Sequence, residues 1–589
     1  LTPNATLLKM LKHQKTTKRI CTKDKNNPPI PPLLKGGEGG LYRKKIAQLI
    51  IARLDGKDIN KKFNYYQSLV KKGIGGFIIF GGKLKEVSTA IKKLQDSAEI
   101  PLFIASDLEQ GLGQHIEGGT LFPPAMSIGQ AINPKNRNDI ALLRKSISII
   151  AQETKTAGIN TIFAPVLDVN TNPKNPIICT RAFSDNPQKV AWFGSEFIKG
   201  FQKHGIIACA KHFPGHGDTI KDSHKELPVV KADIKRLWNI ELYPFSKAVK
   251  AGVKMIMLGH LKVPALDSKF PSSLSQKTVN GLLRETMRFK GLVITDAMNM
   301  HAIRYGEEKA CLMALNAGAN IILHPGNPEK IIDYLSSRWD GIRTRVEESV
   351  RRVMKAKKEL NKMQDARCKI QDIGKKSHWQ TAKKLTQKSI KIISNSKIPF
   401  SPCLPDRQAH LLKGEILLPS LEKRGKGRFY KSVSLKSIEP EKPVVLIIDD
   451  DNNNSGKPFV KALRKKFSKI NAYYVDNKTI SSKNPPLPPF VKGGMGRFLI
   501  IAIFSKISAW KGRSGLSSKL KTILEKSVRA SGYSVIVGFC CPYSISDINP
   551  VRKRGQRFLS NGVKADAVIN AYSGSKLAQE AAAKTLLCP

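Results

Sequence analysis

The densest group of side chains able to do chemistry is Lys211-His212-Phe213-Pro214-Gly215-His216-Gly217-Asp218-Thr219-Ile220-Lys221-Asp222-Ser223-His224, with three His and two Asp in fourteen residues. The whole chain has 11 His, so this concentration is not that of an ordinary solvated loop. A metal site would align His212 and His216 on one helical face, and Pro214 with Gly215 breaks that helix. No Cys or Glu inside the segment completes a ligand set, and no metal is expected. Acid–base chemistry fits better. Asp222 and His224 are two apart, a spacing that lets the carboxylate bond one ring nitrogen, fix the tautomer and stabilise the imidazolium. The other nitrogen is then a general acid and base near neutral pH. Its partner is expected to be Asp296, at the end of Gly291-Leu292-Val293-Ile294-Thr295-Asp296. A carboxylate there can attack a carbon or stabilise a cation.

These groups need a rigid frame, and the surrounding pattern supplies one. Between residues 41 and 363, short β-rich runs recur: Gly76–Phe80, Leu102–Ala105, Thr161–Ala164, Ile206–Cys209, Met255–Leu258, Leu292–Thr295 and Asn320–Leu323. Amphipathic stretches such as Asp233–Lys250 and Thr278–Met287 separate them. Continuous apolar strands joined by helices mean a parallel sheet buried on both faces. Seven or more such units over roughly 250 residues or more predict a (β/α)8 barrel. The residues that follow the runs carry the signal: Asp107, Asp168, Lys211 with His212, His260 and Asp296. One carboxylate after a strand is often a helix cap. Five such strand ends instead point to a site on the C-terminal face of a barrel. Asp168 is expected to hold the neighbouring loops.

A second α/β segment, 364–589, shows strands at Pro443–Ile448, Leu499–Ile503 and Tyr533–Val537 and reads as a smaller doubly wound sandwich domain. It has no GxxxxGK[ST] or GxGxxG motif, so no nucleotide cofactor is expected. Residues 1–40 read as a basic, Pro/Gly-rich disordered tail with eight Lys/Arg against two Asp/Glu. Its Asn27–Gly37 stretch recurs almost unchanged at Asn484–Gly494, with a weaker echo at Leu418–Gly425. Polyproline followed by Gly-Gly cannot build a helix or a central strand. Insertions are therefore expected near 405–432 and 481–497.

Lys plus Arg number 100 and Asp plus Glu 46, a net charge of +54. Such a balance attracts polyanions. The lysines, however, run along the whole chain and form no single stripe with interleaved aromatics, so no specific nucleic-acid partner is expected. The nine Cys lack CxxC pairs, which argues against a disulfide scaffold or a zinc finger. No apolar run approaches the roughly 18 residues of a spanning helix. No secretory h-region is visible either. A cytoplasmic protein is expected, or a periplasmic or secreted one if a signal precedes Leu1.

The strings Phe163–Asn170, Lys211–His224 and Gly291–Met298 resemble glycoside hydrolase family 3, and within it the bacterial β-N-acetylglucosaminidases of peptidoglycan turnover. Ser106–Gly111, Thr120–Met126 and Asn175–Phe183 support the match. It covers 41–363 closely and continues more weakly through Ser508–Lys511. The resemblance implies a retaining mechanism without a cofactor. Asp296 matches the nucleophile, His224 the acid/base and Asp222 its dyad partner. Asp107, Arg181, Lys211 and His212 match positions that hold sugar hydroxyls. Most of the family takes its acid/base from a carboxylate elsewhere, which makes Asp-Ser-His the marker of the acetylglucosaminidase branch. Departures are His115 in place of an Arg, Gln110 in place of a Gly, and Cys179 in place of a Gly. They bear on subsite shape and leave the reaction class unchanged.

The implied activity is exo-removal of terminal N-acetylglucosamine from muropeptide-like or chitin-like oligosaccharides. A family 3 β-glucosidase or a glycoside phosphorylase is the alternative within the enzyme class. A non-enzymatic polyanion-binding protein is the alternative outside it.

Overall fold

In a computed structural model of the chain, the structure describes residues 38–221, 226–300, 305–361 and 369–394. It also describes 417–418, 431–432, 443–451, 455–465, 467, 470–477, 498–505, 516–531, 533–540, 565 and 567–587. The described residues form two compact units that divide between Leu385 and Thr386.

The first unit is a closed barrel of eight parallel strands in chain order. They are β1 (Ile50–Asp55), β2 (Gly76–Phe80), β3 (Phe103–Ser106), β4 (Thr161–Ile162), β5 (Ile207–Phe213), β6 (Met255–Leu258), β7 (Leu292–Ala297) and β8 (Ile321–Leu323). Closure comes from β1 pairing with β8, Ile50 opposite Ile322 and Ile51 opposite Leu323. The strands are apolar on both faces because one face fills the barrel and the other carries helices. Helix Arg137–Thr156 shows the complementary pattern. Leu143, Ile147, Ile150 and Ala151 form its buried stripe, and Asn136 caps its start by accepting from the amides of Asn138 and Asp139. Helix Pro187–Lys203 is built likewise, with Asn186 as cap and proline in its first turn.

At the N-terminal ends of the strands, helix Trp339–Asn361 inserts Lys357 beneath the barrel. The Lys357 Nζ donates to Gln48 Oε1 and to the Gly75 carbonyl, each at 2.8 Å, and lies 4.9 Å from the centre of the Phe103 ring. Burial pushes its pKa down to about 7.

The second unit has a six-stranded sheet. Its strands are β9 (Lys391–Ser394), β12 (Val444–Asp449), β13 (Asn471–Asp476), β14 (Phe498–Ser505), β15 (Tyr533–Cys540) and β16 (Ala567–Asn570), in the order β13-β12-β14-β15-β16-β9. Strand β9 alone is antiparallel. Apolar clusters cover both faces, one around Ile448, Ile501 and Leu524 and the other around Ile447, Phe459 and Phe539. This is the doubly wound sandwich expected after a barrel. A two-residue ladder joins β10 (Leu417–Leu418) and β11 (Lys431–Ser432).

Residues 1–37, both full copies of the Pro/Gly repeat, the 481–497 insertion and most of the 405–432 insertion lie outside the described residues. Residues 38–40 of the expected tail already belong to helix Glu38–Ala47. Among the described residues no helix is long and apolar enough to cross a membrane. Cys179 is disulfide-bonded while Cys209 and Cys311 are free and buried, so scattered spacing does not exclude an individual disulfide.

Candidate active site

The C-terminal ends of β3, β4, β5 and β7 each deliver part of one site. After β3 the chain runs Asp107-Leu108-Glu109, with Leu108 wholly buried between two carboxylates that point the same way. Strand β5 is buried along its whole length and carries Lys211 and His212 within it. Its register is extended by the Leu167 amide, which donates to the Lys211 carbonyl at 2.6 Å. The loop after β5 then runs against the loop after β4. A Cβ on Gly217 would meet the Val169 carbonyl oxygen at 1.8 Å, so only glycine passes there. Asn175 ties the same two loops. It accepts from the amides of Ile177 and Ile178 and donates to the His216 carbonyl at 2.8 Å.

Lys211 is 2 % exposed, and its Nζ lies 2.6 Å from Asp107 Oδ1 and 2.8 Å from Glu109 Oε1. Arg181, in the short turn Cys179–Arg181, grips Glu109 with both arms of its guanidinium: Nη2 to Oε1 at 2.7 Å and Nε to Oε2 at 3.0 Å. Its Nη1 donates to the Ile177 carbonyl, and Nη2 lies 3.5 Å from His212 Nε2. Burial opposes each of these charges, but the attractions win. Arg181 and Lys211 hold the Glu109 carboxyl well below the usual carboxylate range. Glu109 holds Arg181, and Asp107 with Glu109 holds Lys211, above the usual range of each.

Behind this pair stands Asp168, fully buried. Its Oδ2 is 2.7 Å from His212 Nδ1, while Oδ1 accepts from the amides of His216 at 2.7 Å and His212 at 3.3 Å. Burial would raise its pKa, yet the neighbouring His212 and His216 lower it. Asp168 therefore orients the His212 ring and fixes the start of the histidine-rich loop. His216 is turned inward. Its Nδ1 is 2.8 Å from Thr219 Oγ1, and burial pushes its pKa down to about 4.

Asp296 lies in β7, half-buried, with Oδ1 accepting from the Ala297 amide at 2.8 Å. The Ala297 carbonyl is braced by His260 Nε2 at 3.1 Å, and His260 Nδ1 is 2.8 Å from Ser273 Oγ. His260 is thus a buried brace behind the strand end. Asp107 follows β3 and Asp296 lies near the end of β7, so both carboxylates belong to the C-terminal mouth of the one closed barrel, and the charges of both act on Cys209 of β5 and on His324, just past β8.

Of the residues expected from sequence, Asp107, Arg181, Lys211 and His212 form one connected network, and Asp296 opens onto the same mouth. Asp222 and His224 lie outside the described residues. On either side of them, Lys221 pairs with Glu226. Glu109 was missed. The alternation Asp107-Leu108-Glu109 could have revealed it, because residues two apart in extended chain share a side. Among the described residues no group of three His, Cys, Asp or Glu is placed to hold a metal ion.

A barrel whose C-terminal mouth gathers carboxylates, cations and imidazoles is the frame of an enzyme site. Residues 41–356 match the profile described as Glycosyl hydrolase family 3 N terminal domain, and the chain belongs to that family of glycoside hydrolases. It is 37% identical over 276 residues to Beta-hexosaminidase A of Pseudoalteromonas piscicida, which covers 43% of this chain and 46% of that protein. It is 26% identical over 339 residues to the Beta-N-acetylglucosaminidase/beta-glucosidase of Cellulomonas fimi, covering 54% and 59%. The chain thus spans about half the length of these two curated relatives. Among solved structures, a glycoside hydrolase family 3 beta-N-acetylglucosaminidase from Paenibacillus sp. str. FPU-7 superposes with a TM-score of 0.72 at 25% identity, over 92% of this chain and 96% of the other.

Proposed function

We propose that the chain is a retaining exo-β-N-acetylglucosaminidase. It removes terminal N-acetylglucosamine from cell-wall (muropeptide) or chitin-like oligosaccharides. The observation that carries this reading is the single mouth shared by Asp296 and the Asp107–Lys211–Glu109–Arg181 network. The hexosaminidase and acetylglucosaminidase names of the relatives support its acetamido-sugar part.

In this reading Asp107, Arg181, Lys211 and His212 bind the hydroxyls of the terminal sugar by charge-assisted hydrogen bonds. Those bonds fix the ring with its anomeric carbon toward Asp296. The Asp296 carboxylate attacks that carbon. His224, protonated and held by Asp222, gives its proton to the departing glycosidic oxygen. One C–O bond breaks and one forms, leaving a glycosyl ester on Asp296. His224, now neutral, takes a proton from water as the water attacks the same carbon. The carboxylate is released and the configuration is retained.

A neutral imidazole also admits an anionic acceptor more readily than a second carboxylate would, so phosphate is the competing nucleophile to test. The decisive comparison is an aryl N-acetyl-β-glucosaminide against the matching aryl β-glucoside, with and without phosphate. The reading expects the higher kcat/KM on the acetamido sugar and free sugar as product. A preference for the plain glucoside, or a sugar 1-phosphate as the main product, would overturn it. Salt-dependent polymer binding with no turnover would instead support the polyanion-binding alternative.

A further inference from the structure

His324 follows β8, and its amide donates to the Ile51 carbonyl at 2.8 Å, so it sits at the seam where the barrel closes. Its backbone is left-handed, with φ of 45°. A side chain in that region is strained, and glycine would adopt the same conformation freely. The next residue is Pro325, which makes extended backbone the preferred state at 324. Such strain persists where the surroundings require that side chain.

The ring is mostly enclosed but not sealed from the mouth. His324 is 8% exposed, and its ring nitrogens make no hydrogen bond to protein among the described residues. It is tilted against Phe80 at 6.1 Å between ring centres. Phe80 is flanked by the Arg53 guanidinium at 4.9 Å and by the edge of His115 at 5.6 Å. This wall, from the ends of β1, β2 and β8, belongs to the same barrel mouth as Asp107 and Asp296, whose charges reach the His324 ring. Burial pushes the His324 pKa down to about 4, so near neutral pH the ring is neutral, with one donor and one acceptor. That suits a hydroxyl better than an anion.

We propose that His324 is a substrate-contacting specificity residue that hydrogen-bonds one ring hydroxyl of the terminal sugar held between Asp107 and Asp296. The inference rests on the reaction assigned above and adds the identity of a contact. A buried polar group left unpaired is costly, so such a site rejects a sugar that lacks the matching hydroxyl.

The test uses the full chain, wild type and His324→Gly, with the aryl N-acetylglucosaminide and its 3-, 4- and 6-deoxy analogues. His324→Gly relieves the backbone, so its Tm should equal or exceed that of wild type. Its kcat/KM on the parent sugar should fall by roughly tenfold, the size of one good hydrogen bond. One deoxy analogue should be cleaved by wild type and variant within about twofold of each other, because the bond is already missing. His324→Asn, which tolerates the left-handed backbone, repeats the measurement if the glycine variant folds poorly. Unchanged activity on the parent sugar, or an equal loss on all three analogues, would overturn the contact. Wild-type turnover of the parent sugar tests the assigned reaction separately, so the two failures are distinguishable.

Discussion

The Lys211 ammonium lies 2.8 Å from Glu109 Oε1, and neither group is more than slightly exposed. Glu109 therefore neutralises the two cations, Lys211 and Arg181, that the network turns toward the mouth. Glu109→Gln leaves those cations with less compensation inside the protein. Breaking a buried pair in this way costs about 3–5 kcal/mol, and the loss should appear as a lower unfolding midpoint. The same substitution lets both cations drift, so KM should rise by about tenfold or more. Glu109→Asp, which keeps the charge, should recover part of the loss. The folded-state pKa of Glu109 is depressed. Its stabilisation is accordingly present above the ordinary carboxylate range and lost as pH falls through the folded value. The stability gap between wild type and Glu109→Gln should narrow only in strongly acidic solution.

Asp168 serves His212 through one oxygen and two loop amides through the other. Asp168→Asn keeps one acceptor and offers an NH2 group to a ring nitrogen that needs an acceptor. The His212 ring should change tautomer or turn. We expect kcat/KM to fall by about tenfold to a hundredfold, the usual cost of losing a group that orients a functional imidazole. Nitrogen NMR of His212 should show loss of the Nδ1–H tautomer. An unchanged tautomer with unchanged kinetics would count against the orienting role.

Much of this frame is legible in the amino-acid order. The runs Gly76–Phe80 and Leu292–Thr295 are strands because short apolar segments rich in β-branched and aromatic residues suit a sheet buried on both faces. β1 escapes notice because Arg53 interrupts its apolar run, and Arg53 is there because a strand end that faces the mouth can carry a charge. Lys211 and His212 read as residues after a strand, yet they lie within β5, where buried partners such as Asp168 and Glu109 satisfy them. His324 carries no local motif. Its meaning comes from a backbone angle and from Phe80, more than two hundred positions away. In the second unit, β13 and β9 lack the continuous apolar run that marks a central strand, because they are the two edges of the sheet.

Lys357 gives the barrel floor a pH signature. Its pKa is lowered from 10.5 to about 7 by burial. Between those values the unfolded chain holds the proton and the folded chain does not. Stability from this residue therefore rises with pH from about 7 to about 10.5 and is flat below about 7. Lys357→Met should remove that slope. Urea midpoints of the two proteins at about pH 6.5, 8 and 9.5 (about 1.5 pH units apart) measure it. Parallel curves would contradict the buried, uncharged lysine.

Glu153 fastens the stretch around Gly374 and His378 to the loop that begins at Asp107. It accepts from Thr120 N at 2.9 Å, Thr120 Oγ1 at 2.6 Å, Gly374 N at 2.9 Å and His378 Nδ1 at 2.6 Å. His378→Ala removes one of these donors from a buried carboxylate, a cost of about 1.5–3 kcal/mol for a charged hydrogen bond. Amide exchange at Gly374 should accelerate by at least about tenfold, since the opening energy of that segment falls by a similar amount. Exchange at Leu143 and Ile147, deeper in the helix that carries Glu153, should not change.

The account turns on Asp296 as the group that bonds to the sugar. A 5-fluoro-N-acetylglucosaminyl fluoride keeps the acetamido group and slows release of the covalent intermediate. After brief exposure and digestion at low pH, mass spectrometry should find the added sugar on the peptide containing Gly291–Met298, at Asp296. Label on another residue, or full turnover by Asp296→Ala, would contradict the account.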